Sequence, residues 1–423
     1  MSTIKVTTIQ DTGGGNSSTT EQIFNGRCKA WLQLDANNTS PSIQSDFNIN
    51  SVDYTNSGRY VVNFSNSLSD GTYHNSGVSN STRGVIAGGF NSTPYSDGIV
   101  YVTIASTGSA QTFGTLSAGR RMAASNGVSS PTRGIWIGGQ VPGAATNIME
   151  YITIASTGNV ETFGELNSSV GRFGIGSCSN SIRGVFGGGY QPTANINTIE
   201  YITIASTGNA QDFGDLTQAR REPSSCSNST RGLFAGGRSD PSTRVNTIDY
   251  ITISSTGDAK DFGDITASRS DFASCSSSTR GLFAGGSPGP SDVIDFVTIS
   301  TLGNAADFGN LIDSRFQFGA VSSSTRAVFG GGYSPGFVNI IDYVTIASLG
   351  DAVDFGDLTI ARGPASCCSV IRGVFAEGNT NTPGNINTID YITIATTGNA
   401  VDFGDTLFSL RNHAGLSNGH GGL

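Results

Sequence analysis

The sequence predicts an all-β protein built mainly as a seven-bladed β-propeller, with a small β module ahead of it. Three observations carry this. A segment read YITIASTGNAQDFGDLTQAR at residues 201–220 returns seven times, starting at Tyr101, Tyr151, Tyr201, Tyr250, Phe296, Tyr343 and Tyr391, at intervals of 46 to 50 residues. Each interval holds four short β-patterned runs separated by turn residues, and none shows the apolar spacing of a helix. A lone four-stranded sheet with apolar residues on both faces has no core, so the copies must stack face to face around an axis.

One unit, from Glu222 on, supplies the elements in order. The first run, SSCSN, is small and polar, which suits the crowded strand nearest the axis. A Ser-Thr turn leads to the second, RGLFAGG, which ends in a glycine pair. A variable loop follows, then the third run, TIDYITISS, whose alternation sets Ile248, Tyr250 and Thr252 on one face and Asp249, Ile251 and Ile253 on the other. Gly257, matched by Gly108, Gly158, Gly208, Gly303, Gly350 and Gly398, marks a tight turn that favours positive φ. The fourth run, AKDFGDI, carries a phenylalanine in every copy, expected to pack between blades. At ring closure, NHAGLSN at 412–418 matches the first run and is expected beside the first blade, leaving residues 74–80 as a connecting or outer strand.

The unit resembles a kelch repeat. A glycine pair closes the second strand, as at Gly236-Gly237 and Gly285-Gly286, a tyrosine lies on the third, as at Tyr201, Tyr250 and Tyr343, and an aromatic, then Leu or Ile, then arginine mark the fourth. The resemblance covers about residues 74–420 and implies a seven-bladed kelch-like propeller over 74–423. The chain departs from the family where phenylalanine replaces tryptophan, as at Phe213, and where Glu377-Gly378 replaces the glycine pair.

Residues 1–73 do not repeat and read as an N-terminal β-rich module. SDFNINSVDYTNSGRYVVNF alternates around a turn at 55–58, the pattern of a hairpin. Phe47, Asn48, Gly58, Tyr60, Val62, Asn63, Phe64 and Tyr73 resemble a segment of bacteriophage tail-fibre and virion proteins, and the wording TIASTGNAxDFGDL is similar to marine and cyanobacterial phage virion proteins. The resemblance implies a module for attachment to the particle or for oligomerisation, a trimer among the options.

Composition narrows the function. With a net charge of −9 and 23 scattered basic residues, neither nucleic acid nor an anionic membrane is an expected partner. No run of 18 apolar residues is present to span a bilayer, and MSTIKVTTIQDTGGG lacks the apolar core of a secretory signal. Four of the six cysteines, Cys178, Cys226, Cys275 and Cys367, stand five residues before the repeat arginines, where other copies have Val78, Val128 and Val321. Cysteine alternating with valine acts as a small buried hydrophobe, so free structural thiols are expected and no metal site.

Asp-Phe-Gly, the triplet that holds magnesium in protein kinases, occurs in five copies, at Phe213, Phe262, Phe308, Phe355 and Phe403. A catalytic aspartate is needed once, so five copies mark a structural task, and the companion kinase motifs are missing. No Ser-His-Asp set and no sialidase-type box occur, so no catalytic residue and no cofactor is assigned. The histidines His74, His413 and His420 read as surface or channel-lining groups, the other reading being a metal-binding pair formed where the C-terminal segment meets His74 at ring closure. The acids Glu165, Asp215, Asp264, Asp357 and Asp405 and the arginines Arg120, Arg172, Arg220, Arg269, Arg315, Arg362 and Arg411 form two periodic series. Their readings are ligand or calcium capture, or turn capping and pairing between blades.

What differs between copies is the loop joining the second and third strands, expected to emerge on one face with the blade-to-blade connections. Phe90, Tyr95, Gln140, Tyr190, Arg238, Asp240, Tyr333 and Asn379 are the candidate receptor contacts. The function expected is that of a non-enzymatic bacteriophage virion protein, a tail or tail-fibre component whose propeller meets a host surface glycan or protein. A capsid decoration or baseplate protein docking to other virion proteins is the alternative of the same class, and a carbohydrate-active propeller enzyme the alternative of another.

Overall fold

The computed structural model describes residues 82–89, 95–121, 127–240, 243–381 and 385–410, and the backbone of seven further strands: Thr19–Glu21, Trp31–Asp35, Ser42–Phe47, Ser51–Thr55, Arg59–Asn63, Val78–Ser79 and Ala414–Gly415. The chain divides into two compact units at residues 68/69. In the first, Trp31–Asp35 pairs antiparallel with both Thr19–Glu21 and Ser42–Phe47, and Ser51–Thr55 pairs with Arg59–Asn63 in the register expected of a hairpin around 55–58.

The second unit is a seven-bladed β-propeller, with no helix among the described residues. Blades 1 to 7 are built on residues 83–115, 127–165, 176–215, 224–264, 273–315, 319–357 and 363–405. In blades 2 to 7 the four strands follow chain order from the axis outward; blade 4 is Ser224–Ser227, Arg231–Ala235, Thr247–Thr252 and Lys260–Asp264. The small side chains of the first strands let neighbouring blades meet at the axis. Ser177 donates to Gly127 O at 2.7 Å, Ser225 to Ser177 O at 2.8 Å and Ser274 to Ser225 O at 2.9 Å. The Cys and Val of these strands fill the next blade where it has glycine: a Cβ on Gly232 would meet Cys178 Sγ at 2.4 Å, and one on Gly184 would meet Val128 at 2.5 Å. Burial pushes the Cys226 and Cys367 thiols up to about 12, and the five described cysteines are all free and buried.

The apolar cores lie between blades rather than within them. One joins Val85, Phe113 and Leu116 of blade 1 to Trp136 and Ile152 of blade 2; another joins Val374 and Phe403 of blade 7 to Ile86 and Val102 of blade 1. Each recurring phenylalanine is 2–3% exposed and meets the third-strand aromatic edge-on at 5.7–6.0 Å, contributing about 1.5–3 kcal/mol through burial.

The Phe-Gly pair has a definite task. The N–H of each turn glycine donates to the phenylalanine carbonyl of the preceding blade at 2.7–2.9 Å, from Gly158 to Phe113 round to Gly108 to Phe403. The outer strand is thereby covered by its neighbour. Backbones come so close that a Cβ on Gly214 would meet Gly257 C at 2.5 Å. The preceding aspartate is exposed; in three blades it accepts from the glycine N–H, as Asp261 does from Gly263 at 3.0 Å.

Two arginine sets complete the seams. The second-strand arginine stacks 4.2–4.8 Å over the third-strand aromatic and donates to an isoleucine carbonyl of the next blade at 2.6–3.2 Å, closing the ring with Arg372 to Ile104 O. The connection arginines Arg120, Arg172, Arg220, Arg269, Arg315 and Arg362 are buried and ion-paired with the next blade's third strand, at Glu150, Glu200, Asp249, Asp295, Asp342 and Asp390. This corrects the partner expected from the sequence. Of the acids after Phe-Gly, Glu165, Asp215 and Asp405 stand exposed and Asp264 and Asp357 half-buried on the outer strand, and among the described residues none is ion-paired with these arginines.

In blade 7 the place of the connection arginine is taken by Leu410, and Arg411 lies outside the described residues. Leu410 is the residue whose carbonyl accepts from Gly378 N–H at 3.1 Å, as Arg362 O accepts from Gly332 N–H. Ring closure differs in part from expectation as well. Ala414–Gly415 pairs with Ala87 and Ile86, beside blade 1 as expected. Val78–Ser79 is no outer strand, however, for it pairs with Val85 and Gly84 on the same inner edge. The inner strand of blade 1 is thus made by two pieces of chain set end to end, because each piece covers only half of Arg83–Ala87.

Candidate functional site

With the repeating side chains engaged in holding blades together, chemistry specific to any one blade must come from positions that differ. The structure groups these on the face where second strands end and blade connections arrive. The residue after each connection arginine pairs through its backbone with the residue after the glycine pair: Arg121 with Gln140, Phe173 with Tyr190, Arg221 with Arg238, Ser270 with Ser287, Phe316 with Tyr333, and Gly363 with Asn379. The loop then folds back as a short hairpin, pairing Gln140 with Ala145, Tyr190 with Asn195, Arg238 with Arg244 and Tyr333 with Phe337.

The cause is local. The glycine pair takes φ of 58–69° and then 100–118°, turning the chain out of the sheet, and the second N–H donates to the connection carbonyl, as Gly237 does to Arg269 at 3.0 Å. Where the connection turns toward the axis, Gly174 (φ 67°) is matched by Glu222, Asp271 and Gln317 at φ 55–56°, a conformation costly for residues with a Cβ. Glu222 N–H donates to Gly174 O at 2.7 Å, tying neighbouring connections together.

Each blade therefore presents its own small patch in one register. Blade 2 offers Arg121 and Gln140, joined by a 2.7 Å hydrogen bond from Nε to Oε1. Blade 3 offers Phe173 and Tyr190, with ring centres 5.5 Å apart. Blade 4 offers Arg221, Arg238 and Arg244. Arg238 pairs with Glu222 at 3.0 Å and Asp271 at 2.5 Å, and Arg244 donates to Ser287 Oγ of blade 5 at 2.9 Å. Burial works against the Arg238 charge, but Asp271 and Glu222 more than offset it and raise its pKa. Burial raises the Glu222 carboxyl, with Asp271 adding to the rise, while Arg238 opposes it. Blade 6 offers three rings: Tyr333 lies 5.3 Å from Phe316 and 5.2 Å from Phe337 and is 37% exposed. Blade 7 offers Asn379, with exposed Asn381 donating to Phe337 O of blade 6 at 2.8 Å.

Of the residues singled out from sequence, Gln140, Tyr190, Arg238, Tyr333 and Asn379 share this register position. Tyr95 stands at the return of the blade 1 loop, where Ala145 and Asn195 stand in blades 2 and 3. Asp240 is exposed in the blade 4 loop and accepts from Thr243 N–H at 2.8 Å. Phe90 and the three histidines lie outside the described residues. Sequence reasoning missed the connection residues Arg121, Phe173, Arg221 and Phe316 and the return residues Arg244 and Phe337. Their signal was the variable position directly after each connection arginine. The described residues of this face offer aromatic, arginine and amide contacts, and among the described residues no group of three metal-ligating side chains converges. No protein-family model matches this chain, and no curated protein matches it.

Proposed function

We propose that this is a non-enzymatic recognition protein of a bacteriophage particle, a tail or tail-fibre component whose propeller contacts the host surface through the loop face. One observation carries the reading: the side chains that hold blades together repeat around the ring, whereas the position after the glycine pair is Gln140, Tyr190, Arg238, Ser287, Tyr333 and Asn379 in turn. A rigid scaffold with one variable register is the arrangement of a binding surface. Aromatic and arginine side chains are the residue types that dominate such surfaces. The phage assignment and the kelch relation rest on the sequence resemblances, as does the role of the N-terminal unit in joining other virion proteins and forming a homo-oligomer.

The test has two parts. Mass spectrometry and electron microscopy of particles carrying this protein should find it on the tail, and purified protein should adsorb to host cells and compete with particle adsorption. Finding it on the capsid shell would favour a decoration role. Hydrolysis of host polysaccharide by the purified protein would overturn the non-enzymatic reading.

A further inference from the structure

On the loop face one arginine stands apart. The seven second-strand arginines donate to carbonyls, the six buried connection arginines are ion-paired, Arg121 bonds Gln140, Arg238 bonds Glu222 and Asp271, and Arg244 bonds Ser287. Arg221 alone among the described arginines makes no hydrogen bond or ion pair through its guanidinium, although its Nε is buried. It lies instead over the Tyr190 ring of blade 3, 5.0 Å from the centroid, with Phe173 against the same ring. Its backbone is fixed by reciprocal 2.9 Å hydrogen bonds with Arg238. Glu222, the acid that feels its charge, is already engaged by Arg238 at 3.0 Å.

The adjoining loop is tied down by an amide. Asn195, which pairs with Tyr190, gives both donors of its amide to Arg238 O at 2.9 Å and Ser239 O at 2.7 Å, and its buried Oδ1 accepts nothing. A guanidinium seated over an aromatic ring presents a planar fork, and that fork matches an oxyanion.

We infer that Arg221, seated on Tyr190, forms a subsite for an acidic sugar, in which Arg221 donates to a carboxylate or sulfate. The inference rests on the loop face being the recognition surface and adds the ligand class. The test uses the full-length protein with three immobilised probes: oligogalacturonate, a sulfated galactan oligosaccharide and a neutral galactan oligosaccharide. Wild type is expected to bind one acidic probe at least about tenfold more tightly than the neutral one. R221M, which keeps the stem over Tyr190 and removes the fork, is expected to erase the difference; R221K keeps the charge without the fork and should retain part of it. Which acidic probe is preferred separates carboxylate from sulfate. Equal binding of neutral and acidic probes, no binding to either acidic probe, or an R221M variant that binds as wild type would each overturn the subsite. If the protein still adsorbs to host cells in those cases, the recognition reading stands and only the subsite falls; loss of cell adsorption as well removes both. An unchanged thermal melt for R221M and R221K establishes that folding is intact.

Discussion

Leu410 and Val100 hold, at the seam where the two ends of the propeller chain meet, the places that a buried arginine and a buried carboxylate hold at the other six seams. Leu410 O accepts from Gly378 N–H as the arginine carbonyls accept from their glycine pairs. Val100 sits opposite Ile86 and Thr112 as Glu150 sits opposite Trp136 and Thr162. Both are buried, at 6% and 3% exposure. The repeat has thus exchanged both members of the pair together. Loss of one member alone would strand a charge without water or a counter-ion.

The same exchange can be imposed elsewhere. Arg220 and Asp249 are fully buried, 3.0 Å apart, and Asp249 also accepts from the N–H and hydroxyl of Thr217. Asp249→Val alone should cost about 3–5 kcal/mol, because it leaves Arg220 unpaired. Arg220→Leu with Asp249→Val should cost much less than the two single changes summed, giving a favourable coupling in a double-mutant cycle read by chemical denaturation. Additive losses would refute the pairing as the source of the cost.

The Phe-Gly motif yields a sharper contrast. Gly214 (φ 139°) has Gly257 C 2.5 Å from where a Cβ would stand, with the backbone of both blades fixed by the Gly257 to Phe213 hydrogen bond. Gly214→Ala should lower stability by about 2–4 kcal/mol or prevent folding. Asp212→Ala, one turn of the same triplet but exposed, should change it by no more than about 0.5 kcal/mol. Thermal melts of the two variants decide whether the triplet's weight lies on glycine or on aspartate.

The period, the turn glycines and the small first strands made the blade count legible, because each reflects a local backbone or packing need that recurs at every copy. Partners across a seam were not legible. Arg220 lies nearer in sequence to Asp215 than to Asp249, and both acids recur with the same period, so spacing favours the wrong one. Only the rotation of one blade onto the next brings Asp249 to the arginine. Arg411 was drawn into the series because the last copy has leucine one residue earlier, and an arginine beside the right place reads as the same residue. Half of the loop face was legible from the variable loops. The other half, Phe173, Arg221 and Phe316, comes from connections whose pairing with those loops depends on ring geometry.

The aromatic patch of blade 6 allows binding and stability to be separated. Tyr333→Ala removes two ring contacts at a partly exposed site, so it should cost about 1–2 kcal/mol of stability, small against the whole ring. If the loop face is the recognition surface, the same change should weaken adsorption to host cells by about tenfold or more. Val401→Ala, on the outer strand and 53% exposed, should leave adsorption unchanged. Equal adsorption by both variants would exclude the blade 6 patch from recognition.

Glu377 offers a pH signature. It stands where six other blades have the first glycine of the pair, at φ 55° and fully buried. Burial pushes its carboxyl up to about 8, and a hydrogen bond with Thr406 works in the opposite direction. In the unfolded chain a glutamate titrates near 4.5. Below that value both states are protonated and the site costs nothing through ionisation. As pH rises from about 4.5 to about 8 the unfolded chain ionises first, so stability falls, on the order of 5 kcal/mol in all; above about 8 the folded state ionises too and the loss levels off. Glu377→Gly removes this titration and relieves about 1–2 kcal/mol of left-handed backbone strain. Its stabilising effect should therefore be modest at about pH 5 and several kcal/mol larger at about pH 8.5, measured by chemical denaturation of both proteins at each pH. A gain that is the same at the two pH values would show that Glu377 is already ionised in the folded ring.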